Sequence, residues 1–121
     1  MILLIDDEIW VRAVVTALLE KSGFTVLAAS GGGEGLETFK QHRAEIRAVL
    51  LDVTMPGMST EDILTELHAI RQDVVVLLCS GYSEHEIAGR FAGRGMSGFI
   101  SKPFTLQALV SSIARCLQTT H

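Results

Sequence analysis

The sequence predicts a doubly wound α/β fold in which five parallel strands alternate with five helices. Short apolar runs, mostly without polar alternation, indicate strands that are covered on both faces. Between these runs, apolar residues recur three and four positions apart, which is the spacing of an amphipathic helix. Strands and helices that alternate with short links favour a parallel sheet with right-handed crossovers and helices on both faces.

The predicted strands are the apolar runs themselves. They are Met1 to Ile5, Phe24 to Ala29, Ala48 to Leu51, Val74 to Cys79 and Gly98 to Ile100. Turn and capping residues indicate the helix ends: residues 21–23 end the first helix, Ser30 or a neighbouring glycine can begin the second, and Thr105 can cap the last. For the sheet we expect the flavodoxin-like strand order 2-1-3-4-5.

Length and composition predict one globular domain over residues 1–121. A chain of 121 residues with 48% apolar and 20% charged content can bury one core but not two. The formal charge of −4 offers no basic surface for nucleic acid or anionic lipid, and no apolar run approaches the roughly 18 residues of a membrane span. We therefore expect a cytoplasmic domain that binds neither nucleic acid nor membrane directly.

Polar side chains follow four of the five predicted strands, at the end where open parallel sheets bind their ligands. They are Asp6 and Asp7 after the first strand, Asp52 after the third, Ser80 after the fourth and Lys102 after the fifth. Any one of them alone would be interpreted as a helix cap or a solvated charge. Three carboxylates at one edge would repel one another and need a cation, and their hard oxygen ligands suit Mg²⁺.

These residue types together can carry out phosphoryl transfer. A carboxylate can attack phosphorus to form an acyl phosphate when a metal ion and an ammonium group offset the charge on the phosphoryl oxygens. Asp52 is the predicted nucleophile because it follows the central strand. Asp6 and Asp7 would bind Mg²⁺, while Lys102 and Ser80 would contact phosphoryl oxygens.

Four motifs resemble the response-regulator receiver family in their order and spacing, and the match spans nearly the whole chain. They are Ile5-Asp6-Asp7-Glu8, Leu51-Asp52-Val53-Thr54-Met55-Pro56-Gly57-Met58, Ser80-Gly81 and Lys102-Pro103-Phe104. The resemblance implies that Asp52 accepts a phosphoryl group from the phosphohistidine of a histidine kinase or a histidine phosphotransfer domain. It also implies that Asp7, Asp52 and the Thr54 carbonyl bind Mg²⁺ directly, and that Asp6 acts mainly through water.

The resemblance further implies a conformational switch. Ser80 and Lys102 occupy the family's hydroxyl and amine positions, and Phe99 lies where the family has a rotating aromatic residue. Because a phosphoryl group adds roughly −1.5 to −2 charge, it would draw Ser80 toward it and leave space into which Phe99 could turn. The surface of helix four, strand five and helix five would then change shape and could form a dimer. A plain core role for Phe99 is an equally supported alternative.

Two stretches of the sequence bear on the protein's context. Residues 79–84 and 90–96 are similar to receivers at the C-terminus of hybrid sensor histidine kinases, which predicts covalently linked kinase domains. Residues 58–60, Met-Ser-Thr, stand where the family commonly has Met-Asp-Gly. If that turn requires a positive φ, Thr60 is strained, because a β-branched residue tolerates positive φ poorly.

Several residues with reactive or aromatic side chains have predicted structural roles. Cys79 ends an apolar run and Cys116 lies in a helical pattern, so both are expected to be buried thiols without a redox role. His42 and His68 are expected at solvated helix positions. Trp10 is expected to be a partly exposed residue near the start of the first helix.

Three other functions are compatible with this fold class. A haloacid-dehalogenase-like phosphohydrolase would need a second acid two residues after Asp52, where this chain has Thr54. A flavin-binding module would need phosphate donors in the first strand-to-helix link, where this chain has acids at residues 6–8. A pseudo-receiver that binds partners without phosphorylation is the alternative that the sequence leaves open.

Overall fold

The chain forms five strands and five helices that alternate along the sequence, in a computed structural model that describes residues 1–53, 57–81, 84–91, 95–102 and 104–118. The strands β1 to β5 are Ile2–Ile5, Val26–Ala29, Ala48–Asp52, Val76–Ser80 and Gly98–Ser101. The helices α1 to α5 are Ile9–Lys21, Gly32–His42, Thr60–Ile70, Glu84–Phe91 and Leu106–Gln118. The predicted alternation is confirmed.

All five strands lie parallel in one sheet, in the order β2-β1-β3-β4-β5. The predicted strand order and fold class are therefore confirmed. The register places Ile5 of β1 beside Leu51 of β3, and Asp52 of β3 beside Cys79 of β4. The carboxyl ends of these three strands meet at one edge of the sheet, next to the point where strand order reverses.

Several strands begin or end one or two residues away from their predicted bounds. β2 begins at Val26 and β4 at Val76, two residues after the start of each apolar run, because the N–H groups of Phe24 and Val74 bond back to the preceding helix or turn. The N–H group of Phe24 donates to a carbonyl oxygen of α1 at 3.1 Å, and that of Val74 donates to Arg71 O at 3.1 Å. β3, β4 and β5 each extend one residue past their apolar runs. Apolar character indicates burial, whereas backbone hydrogen bonding decides where a strand ends.

Both faces of the sheet are covered by helices. Leu51 and Leu78 lie in an apolar core with residues of α2, α3 and α4. Leu50 and Leu77, their neighbours along the strands, lie in a second core with residues of α1 and α5. Because successive strand residues point to opposite faces, an unbroken apolar run fills both cores. The prediction of strands covered on both faces is confirmed.

The predicted helix ends are found at the expected residues. α1 ends at Lys21 and is followed by Gly23, whose φ of 96° favours glycine. Gly31 precedes the first residue of α2, as expected for a glycine beside Ser30. The Thr105 hydroxyl accepts a hydrogen bond from the N–H group of Ala108 at 3.1 Å and so caps α5.

The predicted strain at Thr60 is wrong. The positive φ in this part of the chain is at Gly57, where it is 89°, and no non-glycine residue within the described ranges has one. Thr60 is instead the first residue of α3, and its hydroxyl donates to Val53 O at 3.2 Å. Ser59 caps the helix by accepting from the N–H group of Asp62 at 3.1 Å. The Ser-Thr pair therefore starts the helix without needing a glycine.

Cys79 and Cys116 are both buried and are not joined in a disulfide, as predicted. Burial raises the pKa of the Cys79 thiol to about 12 and also raises the pKa of Cys116. Because the thiolate is the reactive form, neither residue is suited to redox chemistry at neutral pH.

The two histidines are less solvated than predicted. His42 is half-buried, and its Nδ1 lies 3.9 Å from a Glu45 carboxylate oxygen. The His68 ring is also half-buried, with Nδ1 3.0 Å from Gln72 O and Nε2 2.8 Å from Gly95 O. The prediction is wrong for His68 because the last turn of α3 packs against the segment that precedes β5, a contact between residues distant in sequence.

None of the described helices is both long and apolar enough to cross a membrane.

Candidate acidic site

Four carboxylates lie together at the carboxyl edge of the sheet. Asp6, Asp7, Glu8 and Asp52 each offer an oxygen atom, and these atoms all lie within 4.8 Å of one another. Asp6 follows β1 directly and Asp52 is the last residue of β3, so the adjacent pairing of these strands brings the two acids together. Asp6 is 2% exposed and Asp52 is 1% exposed, while the other two acids are at the surface.

Glu8 was missing from the set of candidate residues. It precedes α1 directly, and its side chain makes no capping hydrogen bond to the helix. Its position beside Asp6 and Asp7 in the sequence was the feature that could have indicated its place in the carboxylate cluster. Sequence alone could not decide whether its carboxylate would turn toward the cluster or cap α1.

Asp6 makes three hydrogen bonds to neighbouring parts of the chain, two through its main chain and one through its side chain. Its N–H group donates to Ala29 O at 3.1 Å, which extends the contact between β1 and β2. Its Oδ1 accepts from the N–H group of Glu8 at 2.9 Å. Its carbonyl oxygen accepts from Arg12 Nη1 of α1 at 2.7 Å. These contacts fix the start of residues 6–8, the acidic loop between β1 and α1.

Lys102 is the cation that contacts both buried carboxylates. Its Nζ lies 3.2 Å from Asp6 Oδ2 and 3.6 Å from Asp52 Oδ1, and its side chain is 23% exposed. Its N–H group donates to Ser80 O at 2.7 Å, which ties the end of β5 to the end of β4. Lys102, which follows β5, thus places its ammonium group beside an acid that follows β1 and an acid that ends β3.

The charges in this site are not balanced. Burial raises the pKa of the Asp6 carboxyl, and the Asp52 carboxylate adds to that rise, so that the Glu8 N–H group and Lys102 offset it only in part. Burial alone would lower the pKa of Lys102, but the carboxylates of Asp52 and Asp6 outweigh it, and the pKa is raised. One lysine does not compensate the acids around it, so a further cation would stabilise the site.

The donor set suits a hard divalent cation. Four carboxylates supply only oxygen ligands, and Mg²⁺ prefers oxygen ligands and commonly binds through one or two carboxylates. The oxygen atoms are close enough to surround one ion. The Thr54 carbonyl, which the sequence analysis assigned as a further ligand, lies outside the described residues.

Ser80 and Phe99 occupy different parts of the predicted site. Ser80 is the last residue of β4 and is completely buried, one position beyond the Asp52 and Cys79 pair. It therefore lies at the same edge as the acids. Phe99 is in β5 beside Leu78 and is half-buried against the core of α2, α3 and α4. It lies on the face of the sheet, three residues before Lys102.

An apolar surface that was not predicted from the sequence adjoins the acidic site. Ile9, Trp10 and Val14 of α1 are 67%, 80% and 56% exposed, so the predicted exposure of Trp10 is confirmed. Trp10 and Val14 line a groove together with other residues of α1 and with Lys102 and Phe104. Large exposed apolar patches on a small domain commonly mark interaction surfaces.

The family is decided by a match over almost the whole chain. The family model described as the response regulator receiver domain matches residues 2–114. The chain belongs to the response regulator receiver family. The matched range contains all five strands and all four carboxylates of the acidic site. Receivers are domains of two-component signalling that interact with histidine kinases or phosphotransfer proteins.

Named relatives of this receiver differ in length. The Sensor kinase CckA of Brucella abortus (strain 2308) is 33% identical over 117 residues, which are 97% of this chain but 12% of that protein. The Chemotaxis protein CheY of Bacillus subtilis (strain 168) is 30% identical over 117 residues, covering 96% of each chain. A crystal structure of a receiver domain protein from Clostridium thermocellum superposes with a TM-score of 0.89 at 33% identity, covering 98% of this receiver and 94% of that chain.

Proposed function

We propose that residues 1–121 form a single receiver domain that accepts a phosphoryl group on Asp52 in a transfer that depends on Mg²⁺. The observation that carries this proposal is the position of the Asp52 carboxylate. It lies at the end of the central strand, 3.6 Å from Lys102 Nζ and among three other carboxylates. The proposed nucleophile, the ammonium group and the proposed metal ligands are therefore close together.

The proposed step is an attack of an Asp52 carboxylate oxygen on the phosphorus of a phosphohistidine. The new oxygen–phosphorus bond forms as the phosphorus–nitrogen bond breaks, and the imidazole leaves with its electron pair and takes up a proton. Asp7 and Asp52 would bind Mg²⁺ with the Thr54 carbonyl, and Asp6 would act through water. The metal ion would offset charge on the phosphoryl oxygens.

Lys102 and Ser80 have separate proposed roles around the phosphoryl group. Lys102 would exchange its contact with Asp52 for one with a phosphoryl oxygen, because its ammonium group is a flexible point charge. Ser80 would donate a hydrogen bond to another oxygen. Movement of Ser80 would let Phe99 turn inward and change the surface of α4, β5 and α5, through which two copies could pair.

We propose that the donor is a histidine kinase or a histidine phosphotransfer domain that docks beside α1. The exposed Trp10 and Val14 line the same groove as Lys102, which contacts Asp52, so a helix bound there would be close to Asp52. The match to the sensor kinase CckA supports a place in a hybrid sensor kinase with covalently linked kinase domains. CheY of Bacillus subtilis, by contrast, is matched over 96% of its own length.

Intact-mass measurement after incubation with acetyl phosphate or phosphoramidate and Mg²⁺ tests the phosphoryl transfer. We expect the wild type to gain the mass of one phosphoryl group, and Asp52→Ala to gain none. Asp62→Ala removes an exposed aspartate from α3 and should be modified like the wild type. Chelation of Mg²⁺ should abolish the reaction. A wild type that gains no mass would contradict the proposal and favour a pseudo-receiver that only binds partners.

A further inference from the structure

Arg12 connects α1 to the acidic loop. Its Nη1 donates to the carbonyl oxygen of Asp6 at 2.7 Å, and its side chain is half-buried. Asp6 is the first residue after β1, where the chain turns from the sheet into α1. Arg12 thus reaches back from the first turns of α1 to the main chain that begins the acidic loop.

We infer that Arg12 is a positioning residue for the metal ion, because it fixes the main chain from which three of the four carboxylates project. This inference rests on the proposed function, since it concerns the Mg²⁺ of that site. Gathering like charges in a loop is opposed by repulsion and by the entropy lost when the loop is ordered. A loop that is already anchored loses less entropy when the ion binds. Partners of metal ligands commonly contribute to metal affinity in this way.

The charge of Arg12 and its hydrogen bond have opposite effects on Mg²⁺ affinity. The guanidinium is always positively charged, and its charge near the site repels another cation. If this charge were its main effect, removing Arg12 would tighten Mg²⁺ binding. If the anchoring hydrogen bond is the main effect, removing Arg12 weakens binding. The sign of the change in Mg²⁺ affinity therefore separates the two explanations.

Mg²⁺ titration of the whole chain, followed by calorimetry and by Trp10 fluorescence, tests this inference. Arg12→Met keeps a long side chain without a donor and should raise the Kd for Mg²⁺ by about 10-fold. Arg12→Lys restores a charged donor of similar reach and should recover most of the affinity. Arg12→Gln removes the charge and shortens the side chain, and it should also weaken binding. Arg47→Met removes an exposed arginine before β3 and should leave the Kd unchanged.

The rate of modification by phosphoramidate provides a second measurement. In Arg12→Met, the rate at low Mg²⁺ should fall in proportion to the lost affinity, while the rate at saturating Mg²⁺ should stay within about twofold of the wild type. Circular dichroism confirms that each variant is folded at the temperature of the titration. If Arg12→Met does not fold, Arg12→Gln takes its place in both measurements.

The possible results distinguish failure of this inference from failure of the proposed function. A wild type that does not bind Mg²⁺ would overturn the proposed metal site itself. A wild type that binds Mg²⁺, together with Arg12 variants that bind it equally or more tightly, would overturn only the positioning role. A lower thermal midpoint without a change in Kd would show that Arg12 stabilises the fold and does not position the ligands.

Discussion

Lys102 and the two buried aspartates depend on one another for stability, because each is a charged group that is largely removed from water. Asp6 and Asp52 are almost fully buried, and Lys102 is the cation in contact with both. Removing one partner from a buried ion pair leaves an uncompensated charge, which costs more than the pair contributed. The stability of the metal-free domain should therefore depend strongly on Lys102.

We expect Lys102→Met to lower the free energy of unfolding of the metal-free protein by about 2 kcal/mol, a value reduced from the buried limit because Lys102 is 23% exposed. Urea denaturation in the presence of a chelator measures this change. Lys40→Met is the control, since Lys40 is 55% exposed and lies 3.9 Å from Glu37. Its effect should stay within about 0.5 kcal/mol. Equal effects of the two variants would contradict the assigned role of Lys102.

Asp6 makes the metal-free protein sensitive to pH. Its pKa is raised in the folded protein, so the folded state binds this proton more tightly than the unfolded chain. The contribution of Asp6 to stability is therefore greatest below the ordinary carboxyl pKa of 3.8 and is lost as pH rises through the raised value. Ionised Asp6 should destabilise the metal-free domain at neutral pH.

Asp6→Asn should accordingly stabilise the metal-free protein at pH 7 by about 1 kcal/mol relative to the wild type, and this difference should shrink as pH falls. Urea denaturation at a series of pH values with a chelator present measures the difference. Addition of Mg²⁺ is the control, because it should stabilise the wild type more than the variant. A difference that grows as pH falls would contradict the assigned direction of the Asp6 pKa.

Residues that the sequence places at a strand end are found where the strand order predicts, although their roles remain predictions. Asp6, Asp52, Ser80 and Lys102 lie at the expected edge because strand order alone determines which ends meet. His68 was not predicted correctly, since its surroundings include Gly95, which is far away in the sequence. Side-chain direction at such positions depends on contacts that a local pattern does not contain.

At the scale of elements, the glycines of α2 have different roles that a sequence cannot distinguish. A Cβ atom at Gly33 would meet no atom within 4 Å, whereas one at Gly35 would lie 2.5 Å from Ile5 Cδ1 of β1. Both residues are in the same helix, where alanine is intrinsically favoured over glycine. Gly35 therefore allows α2 to approach the sheet, and Gly33 has no such role.

We predict that Gly33→Ala raises the free energy of unfolding by roughly 0.5 to 1 kcal/mol, because it removes the entropy cost of glycine in a helix. Gly35→Ala should lower it by roughly 1 to 3 kcal/mol, because α2 must move away from β1. Thermal denaturation of the two variants beside the wild type measures both changes. Each variant serves as the control for the other, and changes of the same sign would contradict this packing.

The sequence predicted where each strand lies to within about two residues, but it did not predict the exact first and last residues. The apolar run before β4 includes Val74, which is buried but bonds within a turn. The loop before α3 was expected to be strained at Thr60, but Gly57 takes the positive φ and Ser59 caps the helix. Backbone hydrogen bonds decide these details, and composition does not reveal them.

At the scale of the whole molecule, metal binding and folding should be linked. An ion that binds only the folded protein stabilises it by about 2.7 kcal/mol at a free concentration of 100 times its Kd. We expect this stabilisation for the wild type and expect it to be absent in the double variant Asp6→Asn/Asp7→Asn. Glu37→Gln, which changes an exposed acid of α2, should behave like the wild type. Thermal unfolding with and without Mg²⁺ measures the effect, and equal stabilisation of all three proteins would place the ion elsewhere.

The fold class, the strand order and five of the residues at the carboxyl edge of the sheet were predictable from the sequence. They were predictable because apolar periodicity reports secondary structure, and because strand order then fixes which strand ends are neighbours. Which side chains meet there depends on the packing of the folded chain: Glu8 lies beside the aspartates, Lys102 contacts both buried acids, and Arg12 binds the Asp6 carbonyl. Those contacts join residues from separate elements, so their distances depend on how helices pack against the sheet.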